Sequence, residues 1–234
     1  MEFYNNYKVV PINHNLLINL ADKSYPTIYT FSLEKKLEKK DLEIKNWQFN
    51  MTAVCQLDNG LILTTHMEDI CRTRGAYDHF GYVNILKERD GKYISINKIF
   101  FSEEFVTDIH KLDNNLALVI CEYTVYILYP NSGCELSEDV EWHAVQIFNR
   151  PVYTTKVLKN QVILFSIRDM LKIFVPQYDT NLTTFVNLES SMFKFHIEDI
   201  YGFQNYIVKL DQLCDNRIVS VDTKGNIQIW GKTF

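Results

Sequence analysis

The sequence predicts an all-β protein, and three observations carry that prediction. Tyrosine and phenylalanine are abundant, with 14 and 15 copies in 234 residues, and such aromatic residues favour half-buried strands over long helices. Five short polar turns recur along the chain, each centred on an asparagine, which tolerates the positive φ of a tight hairpin. The segment after each turn is nearly all apolar, as in residues 116–120, which is typical of a strand buried on both faces.

The turns mark repeats whose length indicates the architecture. The turn asparagines are Asn15, Asn59, Asn114, Asn160 and Asn216, separated by 44, 55, 46 and 56 residues. These separations are in the range of propeller blades. The repeats cover approximately residues 7–49, 50–101, 104–148, 150–188 and 200–234. The pattern therefore predicts one domain over residues 1–234, a β-propeller of about five blades. Asparagine turns also occur in β-sandwiches and barrels, and the repeat count favours the propeller.

A fourth strand is expected to complete most blades. The last segment of each of the first four repeats is apolar or alternating, at residues 42–49, 93–101, 142–148 and 183–188. The charged run at residues 33–45 is predicted to be a solvated loop that leads into the first of these strands. The fifth repeat has three strands of its own, so its blade is predicted to be incomplete. Either residues 2–5 or a strand from another protein is expected to cover that edge.

The fifth repeat carries family-level detail. Ser220 and Asp222 stand in a Ser-x-Asp arrangement, Gly225 lies in the following hairpin, and Trp230 ends the third strand. This segment resembles a blade of the WD-repeat β-propeller family in diverged form, since the chain has no Gly-His dipeptide and Gly231 replaces the second residue of the Trp-Asp pair. The resemblance implies a structural role for the aspartate and tryptophan, and no catalysis.

Charge and cysteine usage restrict the class of protein. The net charge of −5 argues against binding of nucleic acid phosphates as the main function, so contact with nucleic acid is expected only indirectly, if at all. The five cysteines are odd in number and contain no C-x-x-C pair, which favours reduced thiols in the cytoplasm or nucleus. Neither a leader peptide nor a long apolar segment is evident, so no membrane association is expected.

One connection stands out as a candidate binding loop. Residues 67–80 form a long excursion where the other repeats use only a few residues, and function concentrates in such insertions. Arginine and tyrosine give much contact energy for little entropy loss, so we expect a partner-binding or anion-binding patch here. Its candidate residues are Arg72, Arg74, Tyr77, Asp78 and His79. The alternative is a solvated hairpin.

No catalytic, cofactor-binding or metal site is predicted. Cys71 and His79 resemble a nucleophile and base only in being near one another in sequence, and phosphate-binding and metal-ligating motifs are lacking. Five-bladed propellers can be glycosidases, in which two or three carboxylates converge on the central channel. Five carboxylates are candidates because each follows the second strand of its repeat, a placement that turn-capping residues would equally show. These carboxylates are Asp22, Asp69, Glu122, Asp169 and Asp222.

The sequence therefore favours a non-catalytic interaction scaffold, a subunit of an intracellular complex that binds one or more proteins. One of those proteins is a candidate to complete or cover the last blade. Two alternatives stay open. The first is an enzyme or small-molecule binder with a site at the channel mouth, and the second is an accessory subunit that assists a partner acting on RNA.

Overall fold

A computed structural model describes residues 9–13, 16–19, 27–32, 35–40, 42–43, 51–71, 77–101, 104–130, 140–168, 170–177, 194–201 and 203–230. These residues form twenty β-strands in five sheets, with no helix among them and hence no helix that could cross a membrane. Apart from one short strand at the edge of the second sheet, strands that follow one another in the chain pair side by side. The predicted fold class is confirmed, because five successive sheets of this kind correspond to about five propeller blades.

The chain divides into two compact units, residues 1–122 with 127–144, and residues 123–126 with 145–234. The prediction of a single domain over residues 1–234 stays a prediction. Sheet 1 contains β1 (Val9–Asn13), β2 (Leu16–Asn19), β3 (Thr27–Ser32) and β4 (Lys35–Lys40). Sheet 2 contains β6 (Met51–Gln56), β7 (Ile62–Cys71), β8 (Tyr77–Arg89) and β9 (Lys92–Phe101), with the short β5 (Leu42–Glu43) at its outer edge.

The remaining three sheets follow the same up-and-down order. Sheet 3 contains β10 (Val106–Lys111), β11 (Ala117–Cys121), β12 (Val125–Pro130) and β13 (Trp142–Phe148). Sheet 4 contains β14 (Thr154–Val157), β15 (Ile163–Ile167), β16 (Met170–Gln177) and β17 (Lys194–Tyr201). Sheet 5 contains β18 (Ile207–Gln212), β19 (Ile218–Asp222) and β20 (Ile227–Trp230).

The core lies where first and second strands of neighbouring sheets pack. Within the first unit β1 contacts β6 and β6 contacts β10, and within the second unit β14 contacts β18. Every residue of β11 and of β15 is buried, as predicted for the apolar second strands. The second strands of sheets 3 and 4 are thus buried on both faces.

Tight turns join the first and second strands of sheets 2 to 5 in one shared geometry. The residue before the turn donates its N–H to the carbonyl four residues on, at 2.8–2.9 Å in all four sheets. The last turn residue has positive φ in each case: Gly60 (86°), Asn115 (58°), Gln161 (65°) and Asn216 (67°). Glycine and asparagine suit that conformation, which explains the polar turn signal.

One predicted alignment is wrong by a residue. Asn59 and Asn160 accept an N–H bond at their side-chain oxygen from the residue two positions on, and in the last turn Asp215 does this. Asn216 therefore matches Gly60 rather than Asn59. Asn15 of the first turn lies outside the described residues.

Two of the four predicted fourth strands are confirmed, β9 over the predicted residues 93–101 and β13 over 142–148. The prediction for sheet 1 is wrong, because β4 occupies that place within the charged run and Leu42–Glu43 pairs in parallel with β9 of sheet 2 instead. The prediction for sheet 4 is also wrong, since its fourth strand is β17. Residues 183–188 lie outside the described residues.

Sheet 5 has three strands among the described residues, as predicted. Its third strand, β20, exposes Ile227 by 68% and Ile229 by 54%. Residues 2–5, one of the two segments expected to cover this edge, lie outside the described residues. How the edge is covered stays a prediction.

Candidate interaction surface

In an up-and-down sheet, the first strand begins where the second and the fourth strands end. We call this edge the strand-start end of a sheet, and the opposite edge, which carries the tight turn, the turn end. The described part of the chain exposes five large aromatic side chains, all at strand-start ends: Phe100, Tyr123, Tyr153, Tyr201 and Tyr206. The turn ends carry no exposed aromatic residue among those described.

Two of these side chains form a stacked pair in the second unit. Tyr153 immediately precedes β14 and Tyr206 immediately precedes β18, so they hold the same position in successive sheets. Their ring centroids lie 5.0 Å apart with an angle of 12° between the planes. Each residue is nearly half exposed, at 46% and 45%. The pair therefore presents fixed aromatic surface to solvent.

The buried Ser166 of β15 positions both tyrosines. Its carbonyl accepts the Tyr153 N–H at 2.9 Å, and its hydroxyl donates to the carbonyl of Ile207, the residue after Tyr206, at 2.7 Å. On the other side, the Tyr206 carbonyl accepts the N–H of Thr223 at 2.9 Å. These bonds fix the backbone of the pair to sheets 4 and 5.

An ion pair lies at the strand-start end of sheet 4. Lys172 and Asp199 face each other across β16 and β17, with 2.5 Å between Nζ and Oδ1. The Tyr201 hydroxyl donates to the other oxygen of Asp199 at 3.1 Å. These hydrogen bonds, first that from Lys172, lower the pKa of Asp199, and the charge of Arg150 acts in the same direction. Asp199 is thus ionised and paired near neutral pH.

In the first unit, Phe100 ends a row of packed rings on sheet 2. His66 stacks on Tyr82 at 4.8 Å, and Tyr82 contacts Phe100 at 5.8 Å. Lys98 lies 3.5 Å from the centroid of the Tyr82 ring, a cation–π geometry. Burial, and then the charge of Lys98, lowers the pKa of His66 to about 3. The row runs from a buried neutral imidazole to a phenylalanine that is 59% exposed.

The family-like residues of sheet 5 form two local networks. The Trp230 indole donates to the Ser220 hydroxyl at 3.0 Å, and Gly225 has a φ of 80° in the hairpin. Asp222 accepts four hydrogen bonds, from the Lys224 and Asn226 backbone N–H groups and from the Asn205 and Asn226 side chains. These bonds, first that from the Asn226 side chain, lower the pKa of Asp222 to about 2.

The structure places three of the five predicted binding-loop residues in a strand and does not describe the other two. Tyr77, Asp78 and His79 lie in β8 and pair with Cys71, Ile70 and Asp69 of β7, so the two strands run further than the sequence indicates. Arg72 and Arg74 lie outside the described residues. The connection between the two strands is therefore at most residues 72–76 in length. Its role in binding stays a prediction.

Of the five carboxylates considered for catalysis, the structure describes the side chains of two, Glu122 in the first unit and Asp222 in the second. Glu122 donates its backbone N–H to Phe105 at 3.0 Å in the first unit, and Asp222 is engaged in its turn in the second. Asp22 and Asp169 lie outside the described residues, as do all but the backbone of Asp69. Within the described ranges no three His, Cys, Asp or Glu side chains are grouped so as to hold a metal ion.

Sequence reasoning missed the tyrosine pair, although a signal for it exists. An aromatic residue stands directly before the first strand in three repeats, as Phe105, Tyr153 and Tyr206. Aligning the repeats on their first strands rather than on their turns finds this recurrence. The stacking itself depends on how sheets 4 and 5 pack, which no local pattern encodes.

Comparison with known proteins adds no named family. No family model and no curated protein matches the chain. Among solved structures it is similar to the WD40 beta propeller domain of Doa1, with 9% identity over 97% of this chain and 94% of that one and a TM-score of 0.37. It is also similar to the extracellular domain of BT4673 from B. thetaiotaomicron, with 13% identity over 95% of this chain and 32% of that one and a TM-score of 0.38. The five sheets describe a diverged, propeller-like fold.

Proposed function

We propose that the protein is a non-catalytic interaction module, a subunit of an intracellular complex, and that it binds a partner protein at the strand-start end of its second unit. The observation that carries this proposal is the exposed, stacked pair of Tyr153 and Tyr206. The intracellular setting rests on the cysteine usage, because Cys55, Cys121 and Cys214 are free thiols.

The tyrosine pair has the physical properties of a binding hot spot. Tyrosine supplies a large contact area with only two side-chain torsions to fix, and it is enriched at the centres of protein interfaces. Stacking and the Ser166 bonds already hold the rings in place, so little entropy is lost when a partner binds. Exposed aromatic surface that is ordered in this way favours a specific contact over chance exposure.

The state of Asp222 argues against a role for this carboxylate as a general acid. A general acid needs a pKa near the working pH, and the hydrogen bonds around Asp222 lower its pKa to about 2. Both of its oxygens accept two donors, which leaves them engaged in holding the hairpin. Asp222 thus supports the fold of sheet 5.

The test is comparative capture of partners by the tagged full chain from extract of its own cells. The test variant carries Tyr153→Ala with Tyr206→Ala, and the control carries Lys159→Ala with Arg217→Ala, which removes exposed side chains at the turn ends of the same two sheets. We expect wild type and control to recover the same proteins, and the tyrosine variant to recover them roughly tenfold less or worse. Equal recovery by all three chains, or only free monomer under gentle conditions, would contradict the proposal.

A further inference from the structure

Two cations flank the tyrosine pair at equivalent turns. Arg168 follows β15 and lies two residues beyond Ser166, whose carbonyl bonds to the Tyr153 N–H. Lys224 follows β19 and is adjacent to Thr223, whose N–H bonds to the Tyr206 carbonyl. Both residues are exposed. Sheets 4 and 5 therefore each present one tyrosine and one cation at the strand-start end.

The described anions at this end are already engaged. Asp199 is paired with Lys172, and Asp222 accepts four hydrogen bonds within its own hairpin. Neither Arg168 nor Lys224 has an ion pair with a described residue. Asp169, next to Arg168, lies outside the described residues. The described charge around the tyrosine pair is thus positive, opposite in sign to the net charge of −5 of the whole chain.

We propose that the partner contributes an acidic peptide segment, in which carboxylates meet Arg168 and Lys224 and apolar side chains pack on Tyr153 and Tyr206. This inference rests on the proposed function and adds the chemistry of the bound segment. Opposite charges on two surfaces steer their encounter and exclude partners of the wrong charge. Arginine also forms two parallel hydrogen bonds with a carboxylate, which fixes the orientation of the segment.

A peptide fits the pair better than single-stranded nucleic acid, which is also anionic. Nucleic acid binding requires free aromatic faces for the bases and a basic groove that follows the backbone. Here the two rings cover one face of each other at 5.0 Å, which leaves each ring at most one face for a base. The exposed ring edges and hydroxyls suit the apolar and backbone groups of a peptide.

The test uses the purified full chain and three fluorescently labelled pools of short peptides. Alternate positions are fixed as glutamate, lysine or glutamine in the three pools, and the other positions are drawn from phenylalanine, tyrosine, leucine and proline. We expect the glutamate pool to bind at least about tenfold more tightly than the others, and its binding to weaken as salt is raised. Tighter binding of the lysine pool or of a labelled single-stranded oligonucleotide, no binding of any pool, or equal binding of all three, would overturn the inference.

Matched charge variants locate the site. Arg168→Gln with Lys224→Gln removes the two flanking cations, and we expect it to weaken binding of the glutamate pool by about tenfold or more. Lys159→Gln with Arg217→Gln removes one lysine and one arginine from the turn ends of the same two sheets and is expected to leave binding unchanged. Equal loss in both variants would contradict the assigned site.

The two proposals fail in different ways. If the glutamate pool does not bind, yet Tyr153→Ala with Tyr206→Ala still abolishes partner capture, the acidic chemistry is wrong and the interaction surface stands. If the tyrosine variant captures partners as wild type does, the surface itself is wrong.

Discussion

The turn ends and the strand-start ends of the sheets are built from different chemistry. At the turn ends, polar side chains join neighbouring sheets: the Asn115 side chain accepts the N–H of Asn59 at 2.8 Å, and Lys111 pairs with Asp58. At the strand-start ends, aromatic side chains extend into solvent, and in sheet 4 and sheet 5 they stack on each other. One end uses its polar groups for the fold, and the other leaves aromatic surface available to a partner.

The turn-end links recur at equivalent positions with different atoms. In the second unit the Lys159 N–H donates to the Gln212 side chain at 3.0 Å, where the first unit has the Asp58–Lys111 ion pair. Since the position is kept while the donor and acceptor change, the requirement at this end is that neighbouring sheets be joined. We therefore expect variants at the turn ends to lower stability and leave binding intact, and exposed variants at the strand-start end of the second unit to do the reverse.

The largest loss of stability is expected at Gly81, where the structure leaves no room for a side chain. A Cβ on Gly81, in β8, would lie 2.4 Å from the Glu104 carbonyl oxygen and 2.7 Å from the Val106 nitrogen, so Gly81→Ala forces a backbone shift. Gly60 at the turn end meets nothing within 4 Å and needs only its φ of 86°. We expect Gly60→Ala to lower the free energy of unfolding by about 1–2 kcal/mol and Gly81→Ala to lower it by more. Urea unfolding of both variants measures this order, and a milder Gly81→Ala would contradict it.

The second effect is acid destabilisation through His66. Its pKa is about 3 in the folded chain and about 6.5 when unfolded, so the unfolded chain binds a proton that the folded chain excludes between those values. The free energy of unfolding therefore falls as the pH drops below 6.5, by up to about 1.4 kcal/mol per pH unit from this group. Urea unfolding from pH 7 to about 4 checks the slope. His66→Gln is the control, and an unchanged acid slope in that variant would assign the effect elsewhere.

A third, smaller loss is expected at the turn end. Asn115→Ala removes the acceptor for the Asn59 N–H and places alanine at a φ of 58°, so we expect a loss of about 2 kcal/mol in the free energy of unfolding. Asn115→Asp keeps both the acceptor and the tolerance of positive φ and should lose much less. Both variants should bind partner as wild type does. A binding defect in a folded Asn115→Ala protein would contradict the claim that the turn ends stabilise the fold without contributing to partner binding.

The smallest loss of stability is expected at Ser166 and Thr52, and a comparison of these two residues tests whether Ser166 positions the tyrosine pair. Ser166→Ala removes the bond to the carbonyl of Ile207, the first residue of β18. Thr52→Val removes the bond to the carbonyl of Val106, the first residue of β10, at 2.8 Å in the first unit, together with the contact between the Thr52 and Thr65 hydroxyls. Each should lower the free energy of unfolding by about 1 kcal/mol. Only Ser166→Ala should also weaken partner binding, because Ser166 positions the tyrosine pair. Equal binding by both variants would remove that positioning role.

Local chemistry explains how much of the fold the sequence predicts. A tight turn and the apolar strand after it are specified within a few residues, so the first three strands of the repeats are visible in the printed sequence. The fourth strand of sheet 1 is not, because β4 lies at a sheet edge and reads KKLEKK, a charged sequence without alternating apolar residues. Its pairing with β3 makes it a strand.

The candidate site was less predictable than the fold. The sequence directs attention to residues 67–80, because an unusually long connection is visible in one dimension. The contact of Tyr153 with Tyr206 joins residues 53 positions apart and depends on sheet packing. Ser220, Asp222 and Trp230 were recognisable from the family resemblance, whereas the 3.0 Å hydrogen bond between Trp230 and Ser220 was not predicted.

The most direct test of the account is amide hydrogen exchange of the full chain, alone and with its captured partner. We predict that amide hydrogens at the strand-start end of the second unit exchange more slowly in the complex. They belong to residues 150–155, 166–168 and 203–207 and to the hairpin 222–227. Exchange at the turns, residues 57–61, 112–116, 158–162 and 213–217, should be the same in both states. Protection at the turns, with no change around Tyr153 and Tyr206, would contradict the central claim that the strand-start end binds the partner.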